Sequence, residues 1–204
     1  MLFRSNDSKI NDVGYIRIDN FCSTSSSIFK EKLNKLMSDG IKKLVIDVRN
    51  CEYGDYSEAM NVLKFLINDK EIVSAVNKKG EKDVICSSDI DLGVRVAVLV
   101  NEKTSGPAEV LASAFKDKED SAVIGCKTKG SAVREKAVII SEDFVLVFPD
   151  AYYVTKSGNI ILNSGVEPNE YIKLSAEKEK LFSDHALDFQ NDELLMKAVN
   201  YFNN

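Results

Sequence analysis

The chain has 204 residues, 27 of them basic and 32 acidic, for a net charge of −5. That length suits one α/β domain with a buried core and is too short for two domains and a linker. No apolar run approaches the roughly 20 residues that cross a bilayer, and no Lys/Arg block interleaves with aromatics, so neither a membrane span nor nucleic-acid binding is expected.

Residues 13–18 read as a short strand. The stretch STSSS offers several N-caps, Phe29, Leu33, Leu36 and Met37 then share one helical face, and Gly40 supplies a stop. Residues 44–48 form a continuous apolar run ending at Asp47, Arg49 and Asn50, as in a buried parallel strand that opens into a loop. From about Ser57, a helical stripe runs through Ala59, Val62, Leu63 and Leu66. Met60, Phe65 and Ile67 lie off that stripe, which predicts cover on a second side by a neighbouring subunit or domain. Residues 72–76 and 82–87 read as paired strands around Lys79 and Gly80.

Residues 94–100 are apolar enough for a central strand. After it Gly106 permits a tight turn, Pro107 suits the first helical position, and Val110, Leu111, Ala114 and Phe115 form a buried face. Residues 122–125 are a further strand. Residues 138–140 and 144–148 flank Glu142 and Asp143 as a hairpin, and Tyr152 and Tyr153 lead to a turn at Ser157 and Gly158. Leu195, Ala198, Val199 and Phe202 recur with helical spacing. One domain is expected over 1–204, with an extension at 1–12, a core at 13–174 and a helical segment at 175–204.

Cys22, Cys51, Cys86 and Cys126 form no CxxC pair and have no histidine at ligand spacing, so they read as small buried hydrophobes in a reducing compartment. The single histidine, His185, sits in the charged stretch SDHALD and reads as a surface residue. No metal or cofactor is expected. The opening MLFRSNDSKIND lacks the positive end and apolar stretch of a secretory signal, which fits a cytoplasmic protein, or an extracytoplasmic one if this is a fragment.

Six stretches stand in a characteristic order: VGYIRIDNF, KKLVIDVRNCEYGDYSEAM, VRVAVLVNEKTSGPAEVLASAFKD, SAVIGCKTKGSAVRE, DAYYVTKSGNIILNSGVEPNEYI and NDELLMKAVNYF. Together they resemble the catalytic core of the C-terminal processing (tail-specific) serine peptidases, over residues 13–202. The resemblance implies an α/β fold with a crotonase/ClpP-like core of stacked ββα units and a C-terminal helix. It also implies a peptide-binding PDZ domain before the core, for which the residues before Val13 leave no room.

In that family the nucleophilic serine stands three residues before the glutamate of a motif like TASASE. In TSGPAE that position is Gly106, which has no side chain. The family's general base, a lysine that must be neutral to accept a proton, ends a segment like GEPTFGKG; in GCKTKGSA its place is taken by Ser131. The glutamine that orients the lysine corresponds to Glu135. The loop that helps build the oxyanion hole reads NCEYGD, with Tyr53 in place of the first glycine and Gly54 retained, and Pro107 follows the nucleophile position. Tyr53 either narrows the approach to the backbone donors or packs over its loop.

The expectation is therefore a domain without peptidase chemistry that keeps a groove for an unstructured peptide or protein C-terminus, bound by strand addition, with a homo-oligomer or partner-domain contact alongside. The alternative is an active serine endopeptidase using Ser105. A one-residue shift turns the side chain by roughly 100°, and the nearby Lys103, Lys127 and Lys129 read as solvated, charged lysines. A third reading, an acyl-CoA enzyme of related fold, lacks a basic phosphate patch and a placed carboxylate pair.

Overall fold

Alternation along the apolar runs sends side chains to both faces of one sheet, and helices cover each face. The computed structural model describes residues 8–10, 12–90, 92–116, 118–154 and 156–203; residues 1–7 and 11 of the expected extension lie outside the described residues. Strands β1 (Ser8–Ile10) and β2 (Val13–Arg17) lead to helix α1 (Ser25–Ser38), β3 (Lys43–Asp47) and α2 (Tyr56–Leu66). Strands β4 (Asp69–Asn77), β5 (Lys82–Ser88) and β6 (Arg95–Val100) precede α3 (Pro107–Lys116) and β7 (Ala122–Gly125). The hairpin β8 (Arg134–Ser141) and β9 (Phe144–Val154) is followed by β10 (Glu170–Tyr171), α4 (Ala176–Ser183) and α5 (Glu193–Tyr201).

The first sheet has the order β1-β2-β3-β6-β7-β10, parallel except for β1. The second, β5-β4-β9-β8, is antiparallel. In β6, Val96, Val98 and Val100 join the core shared with α1, α2 and α3, whereas Ala97 and Leu99 join a second core beneath α5. Strand β3 divides the same way, with Leu44 and Ile46 on one side and Val45 on the other. A continuous apolar run is what a parallel strand buried on both faces requires.

Helix α1 starts at the expected serines, but no side chain of its own caps it. The buried carboxylate of Glu58 on α2 instead accepts from Ser26 N–H at 2.7 Å. Gly40 closes α1 with φ +79°, a left-handed turn suited to glycine. The second cover expected over α2 is supplied within the chain: Met60 and Ile67 are buried in the first core, and the Cys86 thiol on β5 meets Met60 O at 3.6 Å. Cys51, Cys86 and Cys126 are buried, and Cys22 is half-buried.

The hairpin is longer than its apolar core suggested. Strand β9 runs straight through Pro149 to Val154 and takes in Tyr152 and Tyr153. Strands β1 and β10 are additions to the elements read from the sequence, and α4 falls in the helical segment expected over 175–204. Among the described residues no helix is long and apolar enough to cross a membrane.

Candidate active site

Three loops leave the carboxyl ends of neighbouring parallel strands: residues 48–55 after β3, 101–106 after β6, and 126–133 after β7. Open parallel sheets place their ligands at this edge. Hydrogen bonds tie the loops together. Ser105 N–H donates to Cys51 O at 2.9 Å, Thr104 Oγ1 donates to Val48 O at 2.9 Å, and Lys129 N–H donates to Thr104 O at 3.1 Å.

The sequence-derived positions meet here. Gly106 is the residue before α3 and has φ +59°. A Cβ built on it would touch only Tyr56, with the hydroxyl at 3.5 Å, so the space for a side chain persists. The positive φ is what penalises a non-glycine residue there. Gly106 N–H donates to Ser131 Oγ at 3.1 Å, so the two positions expected to carry the nucleophile and the base are in direct contact. Ser105 lies beside them, 4 % exposed, with its Oγ 2.7 Å from Ser131 Oγ.

What organises the cluster is Glu109, which sequence reasoning used only as a counting mark. It is fully buried as the third residue of α3. Its Oε1 accepts from Thr128 Oγ1 at 2.6 Å and Gly130 N–H at 2.5 Å. Its Oε2 accepts from Gly106 N–H at 3.0 Å, Ser131 N–H at 2.8 Å and Ser131 Oγ at 3.1 Å. The reach back to Gly106 is the carboxylate half of a capping box. A single acidic residue in the first turn of an otherwise apolar helix was the available signal.

These bonds fix the proton order. Ser131 has one hydroxyl proton and donates it to Glu109, so in the short contact Ser105 must be the donor. The chain Ser105 to Ser131 to Glu109 therefore ends on a carboxylate that already accepts five hydrogen bonds. Lys103, Lys127 and Lys129 are all exposed, and Lys127 pairs with Glu167 at 2.8 Å. The side-chain contact that Ser105 Oγ makes is with Ser131 Oγ.

Glu135 stands exposed at the start of β8, and the hydrogen bonds of Ser131 run to Glu109, Ser105 and Gly106 instead. Tyr53 projects into solvent, 68 % exposed. Gly54 has φ +144°, and a Cβ there would lie 2.3 Å from Phe21 O, so this loop requires glycine. Pro107 is buried at the first position of α3. Tyr56, also unremarked in the sequence, accepts from Val133 N–H at 3.2 Å and stacks on Tyr153 at 4.9 Å. Burial, with the carboxylates of Glu109 and Glu135, pushes its phenol above the ordinary value. His185 is exposed beyond α4, outside this cluster.

The fold and the motif order agree with known proteins. Residues 12–172 match the model for Peptidase family S41, and the chain belongs to that family. It is 29% identical over 159 residues to the chloroplastic C-terminal processing peptidase of Tetradesmus obliquus, covering 77% of this chain and 34% of that one. It is also 29% identical over 169 residues to a probable CtpA-like serine protease of Staphylococcus saprophyticus, covering 81% and 34%. Among solved structures, a photosystem II D1 C-terminal processing protease superposes with a TM-score of 0.76 at 25% identity, over 90% of this chain and 47% of that chain. The chain thus spans about a third of the length of the curated relatives it matches.

Proposed function

We propose that this chain is a peptidase-family domain without peptidase activity, built on a crotonase/ClpP-like core, that binds an extended polypeptide. The observation that carries this reading is the content of the site. Glycine stands at the nucleophile position, and the hydroxyl at the lysine position is committed to Glu109 and Gly106 N–H. Serine-type acyl transfer needs an attacking oxygen and a base that takes its proton; neither position supplies its part.

Binding is supported by the placement of β8. It emerges from the loop that carries Ser131 and forms the outer edge of its sheet. An extended peptide adding to that edge would pass Ser131 and gain main-chain hydrogen bonds independent of its sequence.

The rival reading makes Ser105 the nucleophile, and its short contact with Ser131 is the one feature in its favour. Digestion of casein by the folded chain, beside Ser105→Ala and a heat-inactivated control, separates the two. We expect no cleavage. Cleavage that disappears in Ser105→Ala would overturn the proposal. Titration with unstructured peptides tests the binding half, and no affinity at millimolar concentration would sink it.

A further inference from the structure

The distal part of the β8–β9 hairpin carries bulky apolar side chains on both faces, a pattern that no solvated ribbon needs. Register pairs Lys136 with Phe148, Ala137 with Val147, Val138 with Leu146 and Ile139 with Val145. Directly opposed residues share a face. One face therefore holds Lys136, Val138, Leu146 and Phe148, with Phe144 following by alternation. The other holds Ala137, Ile139, Val145 and Val147. Exposure reaches 77 % at Ile139 and 69 % at Phe144.

Area and charge indicate what covers this ribbon. With up to about 100 Å² exposed on each of seven bulky residues, one ribbon offers on the order of 700 Å², close to one partner's share of a standard interface. Charge divides along its length: Lys136 sits near the root, whereas Glu142 and Asp143 form the tip. Two ribbons laid antiparallel would set each acidic tip over the other's Lys136. Contact through the opposite face would set those tips over Glu135, whose side chain lies with Ala137 and Ile139, and is repulsive. The acidic tip also opposes insertion into an anionic lipid surface.

We propose that the β8–β9 ribbon is an arm exchanged between two copies of this chain about a twofold axis. The Phe144, Leu146 and Phe148 face packs on the partner's ribbon, and the Ile139, Val145 and Val147 face packs on the partner's body. In the resulting stack of body, ribbon, ribbon and body, both faces of each arm are covered. The contact is isologous and closes at two copies. It leaves the edge of β8 unpaired for a peptide and does not depend on whether the site is catalytic.

Sedimentation velocity of the full chain over a concentration series tests the arm. The wild type is expected to run as a dimer at micromolar concentration. Leu146→Asp, at an exposed position that leaves the fold intact, raises the dissociation constant on the order of thirtyfold or more, the effect of a central interface anchor. Circular dichroism of that variant checks the fold. Lys136→Glu weakens the dimer, and adding Glu142→Lys and Asp143→Lys to it restores association. A wild-type monomer at every concentration overturns the proposal, as does a dimer indifferent to Leu146→Asp. Anionic vesicles binding the wild-type monomer, with Leu146→Asp abolishing that binding, would assign the ribbon to lipid and overturn it too.

Discussion

Glu109 shows how a single carboxylate holds a site together. Four of its five hydrogen bonds come from residues 128–131, across the turn that precedes β8, and the fifth comes from Gly106 at the foot of its own helix. A glutamine there has nearly the same shape, but one of its two terminal atoms is a donor facing donors. Glu109→Gln should therefore cost about 3 kcal/mol of stability, within the range for losing buried bonds to a charged group. Denaturant unfolding of the two chains checks this, and equal midpoints would mean that the carboxylate is not what joins these loops.

Among the elements, α5 is fastened at its start by Arg49. Arg49, in the loop after β3 and 1 % exposed, donates to Asp47 at 2.9 Å and to Asp192 at 3.0 and 2.6 Å. Asp192 is also the cap of α5 and accepts from Leu195 N–H. The Arg49 guanidinium lies 3.9 Å over the Phe182 ring of α4, and Arg17 covers the same ring at 4.0 Å. Arg49→Met would leave two carboxylates without their shared cation. A loss of about 3–5 kcal/mol is expected, as for breaking other buried pairs, together with faster amide exchange in α5. Exchange in α5 unchanged from wild type would contradict this role.

Elements with an apolar run or stripe could be read directly from the sequence. The bounds of α4, inside the helical segment expected over 175–204, could not: AEKEKLFS buries only Phe182, and a single buried residue sets no period. Strand β10 is fixed from outside, beside the bonds that Asn169 exchanges with the backbone of Val123. At the site, motif order singled out Gly106 and Ser131, which the structure brings into contact. The role of Glu109 was hidden because most of its partners come from a different loop. The apolar ribbon was legible as a hairpin, but its exposure depends on how far it projects from the body, which a local pattern does not encode.

At the scale of the whole molecule, the buried ionic cluster should set the acid limit of stability. Burial raises the Asp47 carboxyl, but Arg49, then Arg17 and the Tyr15 hydroxyl outweigh it and hold it below the ordinary 3.8. A carboxyl depressed by folding contributes fully above its unfolded value, and that contribution is lost as pH falls below it. Urea midpoints should thus be lower near pH 3 than near pH 7, and Asp47→Asn should flatten the difference. Tyr15 acts at the other end: burial and Asp47 push its phenol well up, so its contribution is lost only as pH rises above about 10. A wild-type midpoint equal near pH 3 and pH 7 would count against the acid arm.

The pairing of Arg49 with Asp192 joins residues 143 positions apart. At a synthesis rate of about 5–20 residues per second, the guanidinium waits roughly 10–30 s on the ribosome for its second carboxylate. Until Asp192 emerges, the face of the first sheet that holds Val45, Ala97 and Leu99 has no α5 to cover it. The nascent chain thus carries an open apolar surface through roughly the second half of its translation, the kind of transient exposure that favours aggregation before a domain is complete.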